Sequence, residues 1–183
     1  GGAIGDIGTH AYNLVQYITG LEAQELAADL TSFVPGRAVD DNAHIWLRFK
    51  GGAKGQLWVS QVAVGNENAL RLRIYGDKGG LEWEQENPNI LWFTPLGGLR
   101  QRLTRGSGAL SEAATAATRI PAGHPEGYLE AFATLYSDVA DVLVNGASAH
   151  HLPNIMDGLD GMWFIEACIA SSKNNGTWCE RNL

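Results

Sequence analysis

The feature that most constrains the fold of this chain is a series of short apolar segments between residues 25 and 94, separated by glycine-rich turns. Within residues 45–49, Ile, Leu and Phe alternate with Trp and Arg, a period of two that is typical of a strand with two different faces. The turns at 51–52 and 76–80 are much shorter than the dozen or more residues that a crossover between parallel strands needs. The sequence therefore predicts an antiparallel meander.

Further strands and three helices complete this prediction. The other strands are predicted at residues 56–64, 70–74, 81–83 and 90–93. Apolar residues with helical spacing occupy residues 6–19, 128–145 and 155–173, and these helices are expected to end at Gly20, Asn145-Gly146 and Asn175-Gly176. Residues 96–122 are weakly patterned and predict a long surface loop.

The second and third helices are each predicted to have one apolar face. For the second helix this face contains Tyr128, Phe132, Leu135, Tyr136, Val139, Val142 and Leu143, and core packing is the role expected of Tyr128. For the third helix the inward residues are expected to be Ile155, Leu159, Met162, Trp163 and Ala170.

The order of these elements predicts an α+β fold, with an open, mainly antiparallel sheet and helices packed on one face. One domain spanning residues 1–183 suits a chain of this length. Four large aromatic side chains are too many for one water-exposed sheet face: Trp46, Trp58, Tyr75 and Trp83. We therefore expect the open sheet face to form a homo-oligomer.

Composition excludes several classes of function. The formal net charge is −7 and no concentrated basic surface is evident, so nucleic-acid binding is not expected. No segment reaches the ~20 apolar residues of a membrane span, and no signal peptide opens the chain. Cys168 and Cys179 match neither a zinc motif nor a disulfide framework, so we expect a cytoplasmic protein.

The first predicted helix carries the clearest candidate for a catalytic pair in the sequence. Asp6 and His10 have i, i+4 spacing, so both side chains are expected on the same helical face. A carboxylate beside an imidazole can set its tautomer and proton affinity, which suits a general base. Spacing alone leaves a surface or structural role open. Glycines 1, 2, 5 and 8 indicate in addition that something approaches this backbone closely.

Other polar residues are also candidates for a functional site. His124 lies between Gly123 and Pro125 just before a helix, where it is a candidate substrate ligand or a capping residue. His150-His151 predicts a solvated connector rather than a metal site, since no third ligand has suitable spacing. Asp40-Asp41 predicts turn chemistry, although Arg37 and Asp41 are also candidates for the mouth of a pocket.

Four segments, in order, resemble the Gfo/Idh/MocA oxidoreductases, which include glucose-fructose oxidoreductase and inositol dehydrogenase. Residues 1–10, Gly-Gly-Ala-Ile-Gly-Asp-Ile-Gly-Thr-His, resemble the family's GG…D-x-G-x-H signature. Residues 71–83 resemble its I-x-G-x-x-G strand-turn-strand, residues 123–132 a segment of its sugar-active branch, and residues 157–178 its closing helix. The resemblance covers essentially the whole chain.

The resemblance implies that two domains have different roles, one in binding the substrate and one in binding the cofactor. This chain resembles the C-terminal domain, which supplies substrate residues and builds the oligomer. An N-terminal Rossmann domain would bind NAD or NADP and is absent from these residues, as is the family's catalytic lysine. His10 would then exchange the hydroxyl proton of a sugar or polyol, and Asp6 would orient His10. Asn13 stands where many members have Asp, so substrate preference stays open.

Two other functions remain open at this point. The chain is expected to be inactive alone, because it opens at Gly1-Gly2 without Met and looks like an excised piece that lacks the cofactor domain. One alternative is a non-catalytic sugar-binding or oligomerisation module of the same fold. The other is a metal hydrolase that uses Asp6, His10 and His124 as ligands, although no metal site is expected.

Overall fold

The computed structural model describes residues 1–108, 110–148 and 152–182. These residues divide into two compact units, one formed by Gly1–Gly65 with Pro153–Leu183 and one by Asn66–Leu152. Each unit contains its own four-stranded antiparallel sheet. The α+β class with antiparallel strands is therefore confirmed, but the single predicted meander is divided into two sheets.

The elements follow one another in a simple order. A π-helical turn at Ile4–Gly8 continues into α1 (Thr9–Thr19), followed by β1 (Ala23–Thr31), β2 (Asn42–Phe49), β3 (Lys54–Ser60), β4 (Arg71–Tyr75), β5 (Gly79–Glu84), β6 (Ile90–Pro95), β7 (Gln101–Thr104), α2 (Glu112–Ala116), α3 (Tyr128–Asn145), α4 (Ile155–Lys173) and β8 (Cys179–Glu180). The predicted stops at Gly20 and Gly146 are confirmed, since each caps its helix with a positive φ.

The first unit holds the main apolar core. Its sheet has the order β3-β2-β1-β8. The α4 helix packs on β1 and also contacts α1. Alternation along β2 buries Ile45, Leu47 and Phe49, as expected from their period of two. These side chains meet the fully buried Ile4 and Phe164, so the first helical turn is part of the core.

The second unit is a meander in which β4, β5, β6 and β7 pair in sequence order. The loop prediction for residues 96–122 was wrong in two places, because β7 and α2 both lie within it. The four residues of β7 include a single apolar side chain, Leu103, and the strand exists through its pairing with β6. The α2 helix is capped by Ser111, whose hydroxyl accepts a bond from the Ala114 N–H.

Of the inward residues predicted for α4, Trp163 packs against the core and the other four were wrong. The α4 helix buries Asp160, Phe164, Ala167, Cys168 and Ser171, and leaves Ile155, Leu159, Met162 and Ala170 exposed. No residue of α3 is buried, and Tyr128 is 71% exposed, so it does not pack in a core. Periodicity identifies the apolar face of a helix but not the element that packs on it. In α4, small and polar side chains pack against the sheet.

The four aromatic residues assigned to one sheet face lie in different units. Trp46 and Trp58 are exposed on the first sheet, where the Trp58 ring stacks on His44 with centroids 6.1 Å apart. Tyr75 is exposed and Trp83 half-buried in the second unit. Within the described ranges, none of the helices combines the length and apolar character that crossing a lipid bilayer would require.

Candidate functional site

The π-helical turn and α1 present Asp6 and His10 to solvent on one side of the first unit. Their opposite side is anchored by the buried residues Ile4, Gly8 and Tyr12, which share the helical spacing of four. Four residues of an α-helix turn through about 400°, and a π-turn, which closes i→i+5 hydrogen bonds, turns less per residue. The π-turn therefore brings positions i and i+4 closer to alignment along the helix axis.

The carboxylate of Asp6 is held by a residue that the sequence did not indicate. Gln61, directly after β3, donates from Nε2 to Asp6 Oδ2 over 3.0 Å. The structure thus pairs Asp6 with Gln61, whereas the sequence had suggested His10 as its partner. In the described part of the chain no side chain bonds to the His10 imidazole.

Two adjacent aspartates hold the backbone of this site in place. Asp40 accepts the Ile4 N–H at Oδ2 and the Ala3 N–H at its carbonyl, both over 2.9 Å, and so caps the helical start. The carbonyl of Asp41 accepts the Gln61 N–H over 2.8 Å. One dipeptide therefore positions both the helix that carries Asp6 and the residue that binds its carboxylate.

The side chain of Asp41 confirms the predicted turn chemistry. It is fully buried and accepts the N–H groups of Phe33 and Val34 over 2.9 and 3.0 Å, with Arg37 Nη1 at 3.4 Å. Hydrogen bonds from Phe33 and Val34, together with the charge of Arg37, lower the pKa of the Asp41 carboxyl against the opposing effect of burial. Asp41 closes the 32–41 loop, so its carboxylate is not available to a ligand.

The glycine-rich start of the chain is explained in part by a contact within the chain itself. A Cβ on Gly2 would lie 2.2 Å from Asp40 Oδ1 and 2.3 Å from the Asp40 carbonyl oxygen. A Cβ on Gly5 or Gly8 would find only ordinary contacts, at 3.9 Å and at 3.5 Å or more. The close approach that the glycines indicated is therefore made at Gly2 by Asp40.

We predict that Gly2→Ala displaces the helical start, because the added methyl group cannot coexist with the Asp40 carbonyl. The expected result is a melting temperature lower by several degrees, as a loss of about 1–3 kcal/mol from overpacking would produce. Gly5→Ala is the matched control and should melt near the wild-type temperature. Equal melting temperatures for the two variants would contradict this explanation of Gly2.

A buried polar network fixes α1 against α4. Asp160, 4% exposed, accepts the Tyr12 hydroxyl over 3.0 Å and also bonds Gln16 and Arg181. The Tyr12 ring stacks on Phe164 with centroids 4.5 Å apart. Burial, followed by the neighbouring Asp160 carboxylate, raises the pKa of Tyr12 well above its usual value, so its hydroxyl remains a donor. This network determines which side of α1 faces outward.

The remaining site candidates divide between the two units. Asn13 is exposed on α1, whereas His124 is exposed in the second unit, where its carbonyl accepts a bond from Arg105. His150 and His151 lie outside the described residues. Among residues 1–108, 110–148 and 152–182, no three His, Cys, Asp or Glu residues are grouped as a metal site would require.

The segment around His124 is held by an ion pair. Arg105 Nη1 lies 2.6 Å from Glu126 Oε2, and both side chains are mostly buried. Glu126 also accepts the backbone N–H of Arg119 over 3.0 Å. These contacts order the loop before α3, so His124 is carried on a defined backbone.

Comparisons with known proteins agree with this architecture. A family model described as "GFO/IDH/MocA C-terminal domain" matches residues 1–82. An uncharacterised oxidoreductase of Bacillus subtilis is 33% identical over 97% of this chain and 47% of its own length. The crystal structure of an oxidoreductase from Sinorhizobium meliloti is 54% identical, with a TM-score of 0.94 over 98% of this chain and 52% of that one.

A third relative has been solved with ligands. The inositol dehydrogenase homologue of Azotobacter vinelandii, complexed with NADH and myo-inositol, is 34% identical, with a TM-score of 0.90 over 98% of this chain and 50% of that one. The chain thus spans about half the length of these relatives. From the matched family model and these relatives we conclude that the chain belongs to the GFO/IDH/MocA family and represents its C-terminal domain.

Proposed function

We propose that this chain is the substrate-binding half of an NAD(P)-dependent dehydrogenase that interconverts a secondary alcohol and a ketone on a sugar or polyol. The observation that carries the proposal is the similarity, along 98% of the chain, to a protein solved with NADH and myo-inositol. The exposed Asp6, His10 and Asn13 on one helical segment supply the acceptors and donors that a polyol would need.

His10 is the proposed general acid and base. Its imidazole is exposed and has no bond to another described side chain, so it can take the proton of a substrate hydroxyl. Asp6 is proposed to accept a bond from a neighbouring hydroxyl, with its carboxylate oriented by Gln61. The buried Tyr12 and the Asp40 cap hold the helix rigid, which keeps both groups in position for a bound substrate.

The described residues are suited to binding the substrate of such a reaction, and they are not suited to binding the phosphates of the cofactor. Every strand pair in the described ranges is antiparallel, so no βαβ unit is available there to build a phosphate-binding turn. We therefore propose that a Rossmann domain in the other half of the full-length protein holds NAD or NADP, whose nicotinamide accepts or donates the hydride.

The test is turnover by the full-length protein with NAD or NADP and a panel of polyols that includes myo-inositol, followed by nicotinamide fluorescence. A substrate deuterated at the reacting carbon should transfer its label to the reduced cofactor. The chain 1–183 alone should show neither turnover nor tight NADH binding. Binding of a polyol without turnover would favour the non-catalytic module, and tight NADH binding by the chain alone would contradict the division of labour.

We also propose that the outer face of the first sheet forms a homo-oligomer. Trp46 and Trp58 are 54% and 58% exposed there, and such apolar area is typical of a protein interface. Trp58→Glu in the full-length protein should reduce the mass measured by sedimentation, whereas Tyr75→Glu, an exposed residue of the other unit, is the control. A wild-type mass for the Trp58 variant would exclude this face as the interface.

A further inference from the structure

Gln61 stands on a backbone that is fixed on both sides. It directly follows β3, and its N–H donates to the carbonyl of Asp41 over 2.8 Å, which continues the pairing of β2 with β3 beyond Asn42 and Ser60. Asp41 is itself fully buried and held by two backbone N–H groups. On the other side, the N–H of Val62 donates to the Ser60 hydroxyl over 3.2 Å. The Gln61 side chain therefore extends from a defined position next to the π-helical turn, which β3 contacts.

The bond from Gln61 to Asp6 is not the contact that holds the π-helical turn in place. Asp40 caps the turn through two hydrogen bonds of 2.9 Å, and Ile4 anchors it in the core. Gln61 and Asp6 are both exposed, and their 3.0 Å bond restricts a long side chain that would otherwise keep its rotamer freedom. An exposed contact that the fold does not require, one helical turn from His10, points to a role in binding rather than in stability.

The two joined side chains match the hydrogen bonding of a hydroxyl group. A carboxylate only accepts hydrogen bonds, so Asp6 alone can bind the O–H of a hydroxyl but offers no donor to its oxygen. The amide of Gln61 carries two N–H donors, and the bond to Asp6 Oδ2 uses one of them. The pair thus adds a donor beside the Asp6 acceptor, which suits a hydroxyl because that group both donates and accepts.

The spacing of Asp6 and His10 limits where such a hydroxyl can be. Side chains at i and i+4 start about 5–6 Å apart, so groups bound by the two residues lie close together on one substrate. We infer that Gln61 is a substrate-binding residue, which together with Asp6 binds the hydroxyl on the carbon next to the one that reacts at His10, an inference that rests on the proposed function. The substrate class is then narrowed to sugars and polyols that present a vicinal diol. An analogue without that hydroxyl leaves both side chains without their partner.

Kinetics of the full-length protein test this role. Gln61→Met keeps the length of the side chain and removes its donors, and it should lower kcat/KM for the most active polyol of the panel by roughly 10–100-fold, mainly through KM. The analogue without the neighbouring hydroxyl should be turned over equally by the variant and the wild type. Gln24→Met, at an exposed glutamine of β1, is the matched control and should change neither value. A loss of the same size for both substrates would overturn the inference, since Gln61 would then only support the fold of the site.

The side-chain amide of Gln61 gives a second readout that does not depend on turnover. In full-length protein labelled with nitrogen-15 glutamine, its NMR signal is assigned by its absence in Gln61→Met. Titration with the polyols of the panel, beginning with myo-inositol, should shift this signal and leave that of Gln24 in place. A Gln61 signal that no polyol shifts would contradict substrate binding by this residue. A shift without turnover would instead refute the dehydrogenase activity and leave polyol binding by Gln61 intact.

Discussion

Replacing His10 with alanine in the full-length protein is expected to lower kcat by roughly 10²–10⁴-fold, the usual contribution of a positioned general acid or base. The imidazole stands exposed on a helix whose opposite side is fixed by Tyr12, so its removal deletes a proton acceptor without disturbing the core. Cofactor binding should remain near wild type, because it is assigned to the other half. Steady-state kinetics and an NADH fluorescence titration measure the two effects separately.

His44→Ala is the matched control for this experiment. His44 is also an exposed histidine, but it lies on the outer face of the first sheet beside Trp58. We expect its kcat to equal that of the wild type. If His10→Ala retained full turnover as well, the general-base role would be lost and the binding-module alternative would gain support.

Replacing Asp160 with leucine should cost about 3–5 kcal/mol of the free energy of unfolding, the range measured when one partner of a buried ion pair is removed. The substitution leaves the Arg181 guanidinium, whose side chain is 15% exposed, without its carboxylate. It also removes the acceptor of the Tyr12 hydroxyl. Urea unfolding followed by tryptophan fluorescence would show a lower midpoint.

A second variant separates the ion pair from simple loss of volume. Asp160→Leu combined with Arg181→Met should regain part of the lost stability, because the unpaired charge disappears together with its partner. Lys50→Ala breaks the exposed pair with Glu22 and should unfold near the wild-type midpoint, since exposed pairs contribute little. A double variant no more stable than Asp160→Leu would show that packing, not charge, dominates at this position.

Local pattern predicted most of the helices and strands. The alternation at residues 45–49 and the glycines that end α1 and α3 were confirmed in detail. These features depend on residues close in sequence, where backbone geometry and side-chain period act directly. The short strand β7 could not be predicted in this way, because its hydrogen bonds are supplied by β6.

The candidate site also combines features that the sequence predicted with contacts that only the structure shows. The spacing of Asp6 and His10 indicated a shared helical side, and the glycines beside them indicated a close approach. Neither signal identified Asp40 as the group that approaches Gly2, or Gln61 as the partner of the Asp6 carboxylate. Both contacts join residues far apart in sequence, so the residue pattern within a short segment cannot predict them.

The sequence by itself indicated the family, through the resemblance of four segments. It also predicted the α+β class and the helical segment that carries Asp6, His10 and Asn13, since residue period is a local property. Only the tertiary structure decided that the strands form two sheets and that α4 buries Asp160 rather than Leu159. The physical reason is that a period defines a face, whereas the partner of that face depends on how distant parts of the chain return to it.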